Sequence, residues 1–195
     1  MELNYIIEIV GALIGLTYLY LEYHASFWLW VAGILMSLFY SYIFFESKFY
    51  ADMCIYVYYL GANLYGLILW KKHQDRQPEK SDYQGINHLQ KNKIFPLATI
   101  FVALNFILYM ILSKLTDSPV PLGDSFTTAL SIIAMWMMAK KNLEHWFLWF
   151  IVNAVSVGLY FWKGLYPTAC LFIIYTVVSA FGYYKWKRLM LKERS

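Results

Sequence analysis

Trp146, Trp149 and Asn153 stand at i, i+3 and i+7, a spacing that puts all three on one helical face about two turns long. Two indoles and one amide on a single stripe make an aromatic slot with a polar end. Such a slot suits a flat cationic ring, which gains roughly 0.5–2 kcal/mol per aromatic partner by stacking and cation–π attraction. The same spacing also serves an interfacial tryptophan pair at a helix start, and spacing alone does not separate the two.

The other groups able to meet a ligand are amides and hydroxyls inside apolar runs: Asn63, Asn105, Thr128, Ser131, Ser156, Thr176 and Ser179. In hydrocarbon an unpaired amide costs several kcal/mol, so each must face protein, water or ligand. Asn63 and Tyr59 join Trp146, Trp149 and Asn153 as candidate substrate-binding residues. Interhelical hydrogen bonding, worth about 0.6 kcal/mol on average, is the competing role for any single one. Glu8 and Asp124 lie near the starts of two apolar runs; they form either a vestibule that draws in a cation or interfacial carboxylates near helix N-termini.

Several chemistries lack their parts. His24, His73, His88 and His145 are scattered, with no paired cysteine or carboxylate at ligand spacing, so no metal site and no cofactor are expected. Cys54 and Cys170 lie inside apolar runs and are read as packing. A membrane-embedded enzyme would need a nucleophile with a base, or paired acids. The nearest candidate, Ser125-Phe126-Thr127-Thr128, has no positioned base.

The elements that must position these residues are set by composition. The chain has 195 residues, 61% hydrophobic and 14% charged, with a mean hydropathy of +0.48, whereas a soluble domain needs roughly a quarter charged residues. A helix crosses a hydrocarbon core of roughly 30 Å in about 20 residues. Seven segments qualify: Leu3–Tyr23, Phe27–Phe45, Phe49–Trp70, Ile94–Ser113, Ser125–Ala139, Leu143–Trp162 and Leu165–Trp186. The first is read as a retained span, because no basic segment or small-residue cleavage site accompanies it. Pro96 and Pro167 fall in first helical turns, while Pro78, Pro119 and Pro121 are placed in connections. Trp28, Trp30, Trp70, Trp162 and Trp186 sit at span ends, as in a headgroup belt.

The chain also contains a weak copy of itself. Phe27–Trp70 moved forward by 116 positions falls on Leu143–Trp186, matching Trp30 with Trp146, Tyr59 with Tyr175, Gly66 with Gly182 and Trp70 with Trp186. Glu8 falls on Asp124, whereas Asn63 falls on Ser179 and Ser37 on Asn153. Thirteen of the sixteen lysines and arginines lie on one side of seven spans, which puts the N-terminus outside and the C-terminus in the cytoplasm. The same alternation with spans argues against nucleic acid as a partner.

The expected architecture is an all-α integral membrane protein of 3+1+3 form, two parallel three-helix bundles joined by one helix, with the ligand near mid-membrane between them. Its parts are a first bundle over 1–70, a cytoplasmic loop over 71–93, a linker helix over 94–113, a second bundle over 114–186 and a basic tail over 187–195. The loop is read as a mobile linker.

The run Glu144-His145-Trp146-Phe147-Leu148-Trp149-Phe150-Ile151-Val152-Asn153, followed by Gly158-Leu159-Tyr160 and Gly182-Tyr183-Tyr184-Lys185-Trp186, resembles the W-x-x-W-x-x-x-N signature of the Pnu vitamin transporters, of the PnuC type. Tyr50-Ala51-Asp52 and Tyr65-Gly66 extend the resemblance to most of the chain. One departure is Leu29-Trp30-Val31-Ala32-Gly33, without the proline many members carry before that glycine. The resemblance implies a SWEET-like seven-span fold, a homotrimer in the bacterial inner membrane, and a substrate site at Trp146, Trp149 and Asn153. It further implies facilitated diffusion of a small cationic vitamin, trapped afterwards by a cytoplasmic kinase that need not touch the carrier. Nicotinamide riboside is the expected vitamin, with thiamine the alternative, since both carry a cationic heteroaromatic ring and a hydroxyl-bearing arm.

Overall fold

The computed structural model describes residues 2–46, 50–76, 85–116, 118–164 and 166–194; within these ranges the side chains of residues 2–12, 43, 44, 46, 50–52, 54, 76, 167 and 194 lie outside the described set. The described residues form seven long helices: α1 Glu2–Tyr23, α2 Trp28–Glu46, α3 Tyr50–Arg76, α4 Ile94–Leu115, α5 Pro121–Ala139, α6 His145–Trp162 and α7 Tyr166–Arg194. A single 3-10 turn, Lys91–Lys93, precedes α4. Among the described residues α4, α5, α6 and α7 are long and apolar enough to cross a membrane, and α2 contributes the shorter apolar stretch Trp28–Tyr42. The chain is a multi-pass helical membrane protein.

The helices fall into two compact units. Met1–Gln84 holds α1, α2 and α3, and Gly85–Ser195 holds the rest. In the first unit α2 packs along α3 and touches α1; in the second, α6 packs along α7, α5 against α6, and α4 against α5. No residue of α4 is buried, and Phe95, Val102, Phe106 and Leu115 are all exposed. An outer surface so rich in large apolar groups is stable beside lipid or protein, not in water.

The α1–α2 turn of the first unit and the α5–α6 turn of the second close in the same way. Ala25 and Lys141, 116 positions apart, both have positive φ, 51° and 53°. The Ala25 N–H donates to Glu22 O and that of Lys141 to Met138 O, each at 2.9 Å. The Ser26 and Asn142 N–H groups then reach back five residues to Leu21 O at 3.0 Å and Met137 O at 2.9 Å. Such left-handed closures satisfy the last carbonyls of a helix. Here they use side-chain-bearing residues where glycine is usual.

Several boundaries differ from those expected. Pro121 is the first residue of α5 instead of part of a connection, a position where its missing N–H is no loss. α3 continues through Lys71 to Arg76, and α7 through the basic 187–194 stretch, because helical hydrogen bonding propagates cheaply once nucleated. The tail over 187–194 is therefore helix, with Met190 buried. α4 belongs with the second unit. Trp30, Trp70 and Trp186 are buried inside the bundles instead of lying in a belt, whereas Trp28 and Trp162 are exposed. Cys170 is exposed and not a packing residue.

Candidate functional site

Helix α6 starts at the left-handed turn just described. His145 Nδ1 lies 2.8 Å from Asn142 O, and its ring packs between Trp146 and Trp186, 4.8 and 4.6 Å between centroids. Trp146 is wholly buried. Its indole covers Gly182 of α7, where a Cβ would come within 2.6 Å of the ring, and meets Trp186 edge to face at 5.9 Å. Trp146 is thus part of the wall that joins α6 to α7.

The same seat exists in the first unit. Trp30 of α2 covers Gly66 of α3 more closely still and meets Trp70 edge to face at 5.6 Å. Glycine is required at both places because no side chain fits beneath an indole pressed on the helix backbone. Sequence reasoning matched these residues in pairs, yet placed Trp30, Trp70 and Trp186 at the membrane surface. The constant 36-residue separation from each tryptophan to its glycine was the signal that they meet.

Asn153, also buried, lies two turns further along α6. Its Nδ2 donates to Ser179 Oγ on α7 at 3.1 Å, and Ser179 Oγ donates to Tyr175 O at 2.7 Å. In the first unit Asn63 Nδ2 donates to Tyr59 O at 2.8 Å and to Ser37 Oγ on α2 at 3.5 Å, while Ser37 Oγ donates to Gly33 O at 2.7 Å. The α2–α3 and α6–α7 pairs therefore each carry one amide and one hydroxyl at corresponding points. The residues are exchanged: the amide is on α6 in one unit and on α3 in the other.

Trp149 differs from Trp146. Its ring is half-buried where that of Trp146 is wholly buried, although the indole N–H groups of both are buried with no hydrogen-bond partner among the described residues. At the equivalent position the first unit has Gly33, against which the Asn63 amide lies. Asn63 Oδ1 is buried there with no partner among the described residues. The structure thus brings Tyr59 and Asn63 together on α3, and Trp146, Trp149 and Asn153 together on α6.

Of the vestibule acids, the Glu8 side chain lies outside the described residues. Asp124, in the first turn of α5, accepts from Lys163 Nζ at 2.8 and 3.1 Å and from Ser118 Oγ at 2.7 Å. Its charge is already met within the chain. Asn105 Oδ1 on α4 accepts from Ser125 Oγ on α5 at 2.8 Å, and Ser131 donates to Thr127 O. Those side chains already bond within the chain. Among the described residues no group of His, Cys, Asp and Glu side chains is arranged to hold a metal ion.

A buried polar seam between paired helices, an indole seat and a lipid-compatible exterior define a polytopic helical membrane protein. The family model described as nicotinamide mononucleotide transporter matches residues 5–188, and the chain belongs to that family. It is 25% identical over 201 residues to the nicotinamide riboside transporter PnuC of Escherichia coli (strain K12), covering 92% of this chain and 84% of that one. It is 24% identical over 185 residues to the riboflavin/roseoflavin transporter RibM of Streptomyces davaonensis, covering 92% and 83%. A crystal structure of the vitamin B3 transporter PnuC has a similar fold, with a TM-score of 0.71 at 20% identity over 94% of this chain and 81% of that one.

Proposed function

We propose that this protein is a nicotinamide riboside facilitator of the bacterial inner membrane. The observation that carries this reading is the α6 stripe, in which a half-buried Trp149 has an unsatisfied indole N–H and lies one turn from the buried Asn153 amide. A flat pyridinium stacks on the Trp149 face, and the amide that Asn153 does not spend on Ser179 meets a ribose hydroxyl. Trp146 supports the stripe from behind. The PnuC relative of Escherichia coli, similar over 92% of this chain, supports the choice of vitamin.

The architecture is the 3+1+3 arrangement, SWEET-like, with α4 as the extra helix and the N-terminus outside. It is supported by the recurrence, 116 positions apart, of the left-handed turn, the indole on glycine and the amide–hydroxyl pair. A homotrimer fits the wholly unburied α4. Uptake needs only the substrate gradient, and a cytoplasmic kinase makes it unidirectional by phosphorylating the product. The phosphorylated form is excluded, because the α6 stripe has no basic residue for a phosphate.

The similarity to RibM favours a second reading, in which the flat ring is a flavin. Equilibrium binding of nicotinamide riboside, thiamine and riboflavin to the purified protein, by calorimetry or tryptophan quenching, distinguishes them. Preference for the riboside is expected. Preference for either other vitamin reassigns the substrate to the same residues, and binding of none removes a ligand role from Trp149 and Asn153.

A further inference from the structure

Residues 85–89 lie across one end of the second unit as a strap. The Gly85 N–H donates to both carboxylate oxygens of Glu193, on the last turn of α7, at 3.0 and 3.2 Å. Asn87 is bridged to the α5–α6 turn in both directions: its N–H donates to Lys141 O at 3.0 Å, and its carbonyl accepts from the Leu143 N–H at 2.8 Å. The Asn87 side chain donates to Lys140 O at 3.3 Å and accepts from Asn142 Nδ2 at 2.6 Å. Glu144, at the start of α6, takes His88 Nδ1 at 2.7 Å and the Leu89 N–H at 2.8 Å.

The strap therefore ties together the adjoining ends of α5, α6 and α7. It does so with hydrogen bonds in a wet setting, since Asn87 and His88 are exposed and Ile86 is its single buried residue. Contacts of that kind open locally at a small fraction of the cost of unfolding. They are specific to this unit: at the positions matching Asn142 and Glu144, the first unit has Ser26 and Trp28. Next along α6 from the strapped Glu144 stand His145 and Trp146, which with Trp186 form the wall that holds α6 to α7. A carrier that alternates access must let helix ends part on one side of its site.

We propose that the strap is a latch that holds the α5–α6 turn and the end of α7 together, and that its release accompanies opening of the second unit at this end. The latch rests on the carrier reading but not on the identity of the vitamin. The test is the double variant His88→Ala/Glu193→Ala, which touches none of Trp146, Trp149 and Asn153. One readout needs no ligand: alkylation of a thiol at the buried position 190, introduced as Met190→Cys with Cys54→Ser and Cys170→Ser in the full chain. The other is exchange of labelled nicotinamide riboside in proteoliposomes, beside its equilibrium binding.

Alkylation is expected to quicken about tenfold or more in the double variant, as fits the loss of the Glu193–Gly85 and His88–Glu144 contacts at a solvent-exposed end. Riboside exchange should change at least about threefold with binding held within about twofold. An unchanged alkylation rate overturns the latch whatever the substrate is. Faster alkylation with unchanged exchange also overturns it, leaving the strap an ornament of the fold. Loss of binding with the double variant makes the strap part of the site's scaffold and overturns it too. If the parent protein carries no riboside, the proposed substrate fails while alkylation still decides whether the strap holds the helix ends closed.

Discussion

The Trp146 indole covers Gly182 so closely that a Cβ added there would lie 2.6 Å from three ring carbons. Contact at that range leaves no room for even one methyl group. The tryptophan, the more chemically suggestive of the two residues, is here a structural wedge. Its counterpart Trp30 on Gly66 shows that the arrangement serves helix pairing in both units.

Gly182→Ala should therefore destabilise the protein by about 1–3 kcal/mol through overpacking, and Gly66→Ala by at least as much, because the approach to Trp30 is closer. Thermal unfolding in detergent measures this. Midpoints equal to that of the parent would mean the indoles swing aside at no cost.

Trp146→Ala and Trp149→Ala should fail differently. The first empties a fully buried site and should cost about 3–5 kcal/mol of stability. The second should leave the unfolding midpoint nearly unchanged and weaken vitamin binding about tenfold or more, by loss of ring stacking. Trp149→Phe, which keeps a ring and removes the N–H, should recover part of that loss. Equal thermal damage from both alanines would return Trp149 to the packing core.

The exchanged amide and hydroxyl allow a swap. Asn153→Ser and Ser179→Asn singly should each cost about 1 kcal/mol of stability, while the double variant reproduces the order found at Ser37 and Asn63 and should restore most of it. If Asn153 also meets the ligand, stability returns in the double variant and binding does not. Recovery of both would leave the amide a purely interhelical group.

Asp124 and Lys163 should show a coupling of about 0.5–1 kcal/mol in a double-mutant cycle with Asp124→Asn and Lys163→Met, since both side chains are partly exposed. Vitamin affinity should be almost untouched, because the carboxylate is engaged by Lys163 and Ser118. A drop in affinity on Asp124→Asn alone would revive its role as a cation vestibule.

Hydropathy and span length were enough to read a polytopic helical protein, because the hydrocarbon core sets the length of any helix that crosses it. The offset of 116 was legible too, and so was the α6 stripe, since helical periodicity fixes which residues share a face. Tertiary structure decided which of those residues turn inward to a neighbouring helix. Trp146 and Trp149 are three positions apart on one stripe, but only Trp146 is opposed by a glycine on α7 close enough to receive it. Trp70 and Trp186 looked like headgroup anchors because interfacial and buried tryptophans both occur at helix ends; partners from α2 and α6 made them core. Asn87, His88 and Glu193 gave no sequence signal. They are ordinary polar residues whose hydrogen bonds join segments 55, 56 and 108 positions apart, and no local pattern encodes a contact between chain segments that only folding brings side by side.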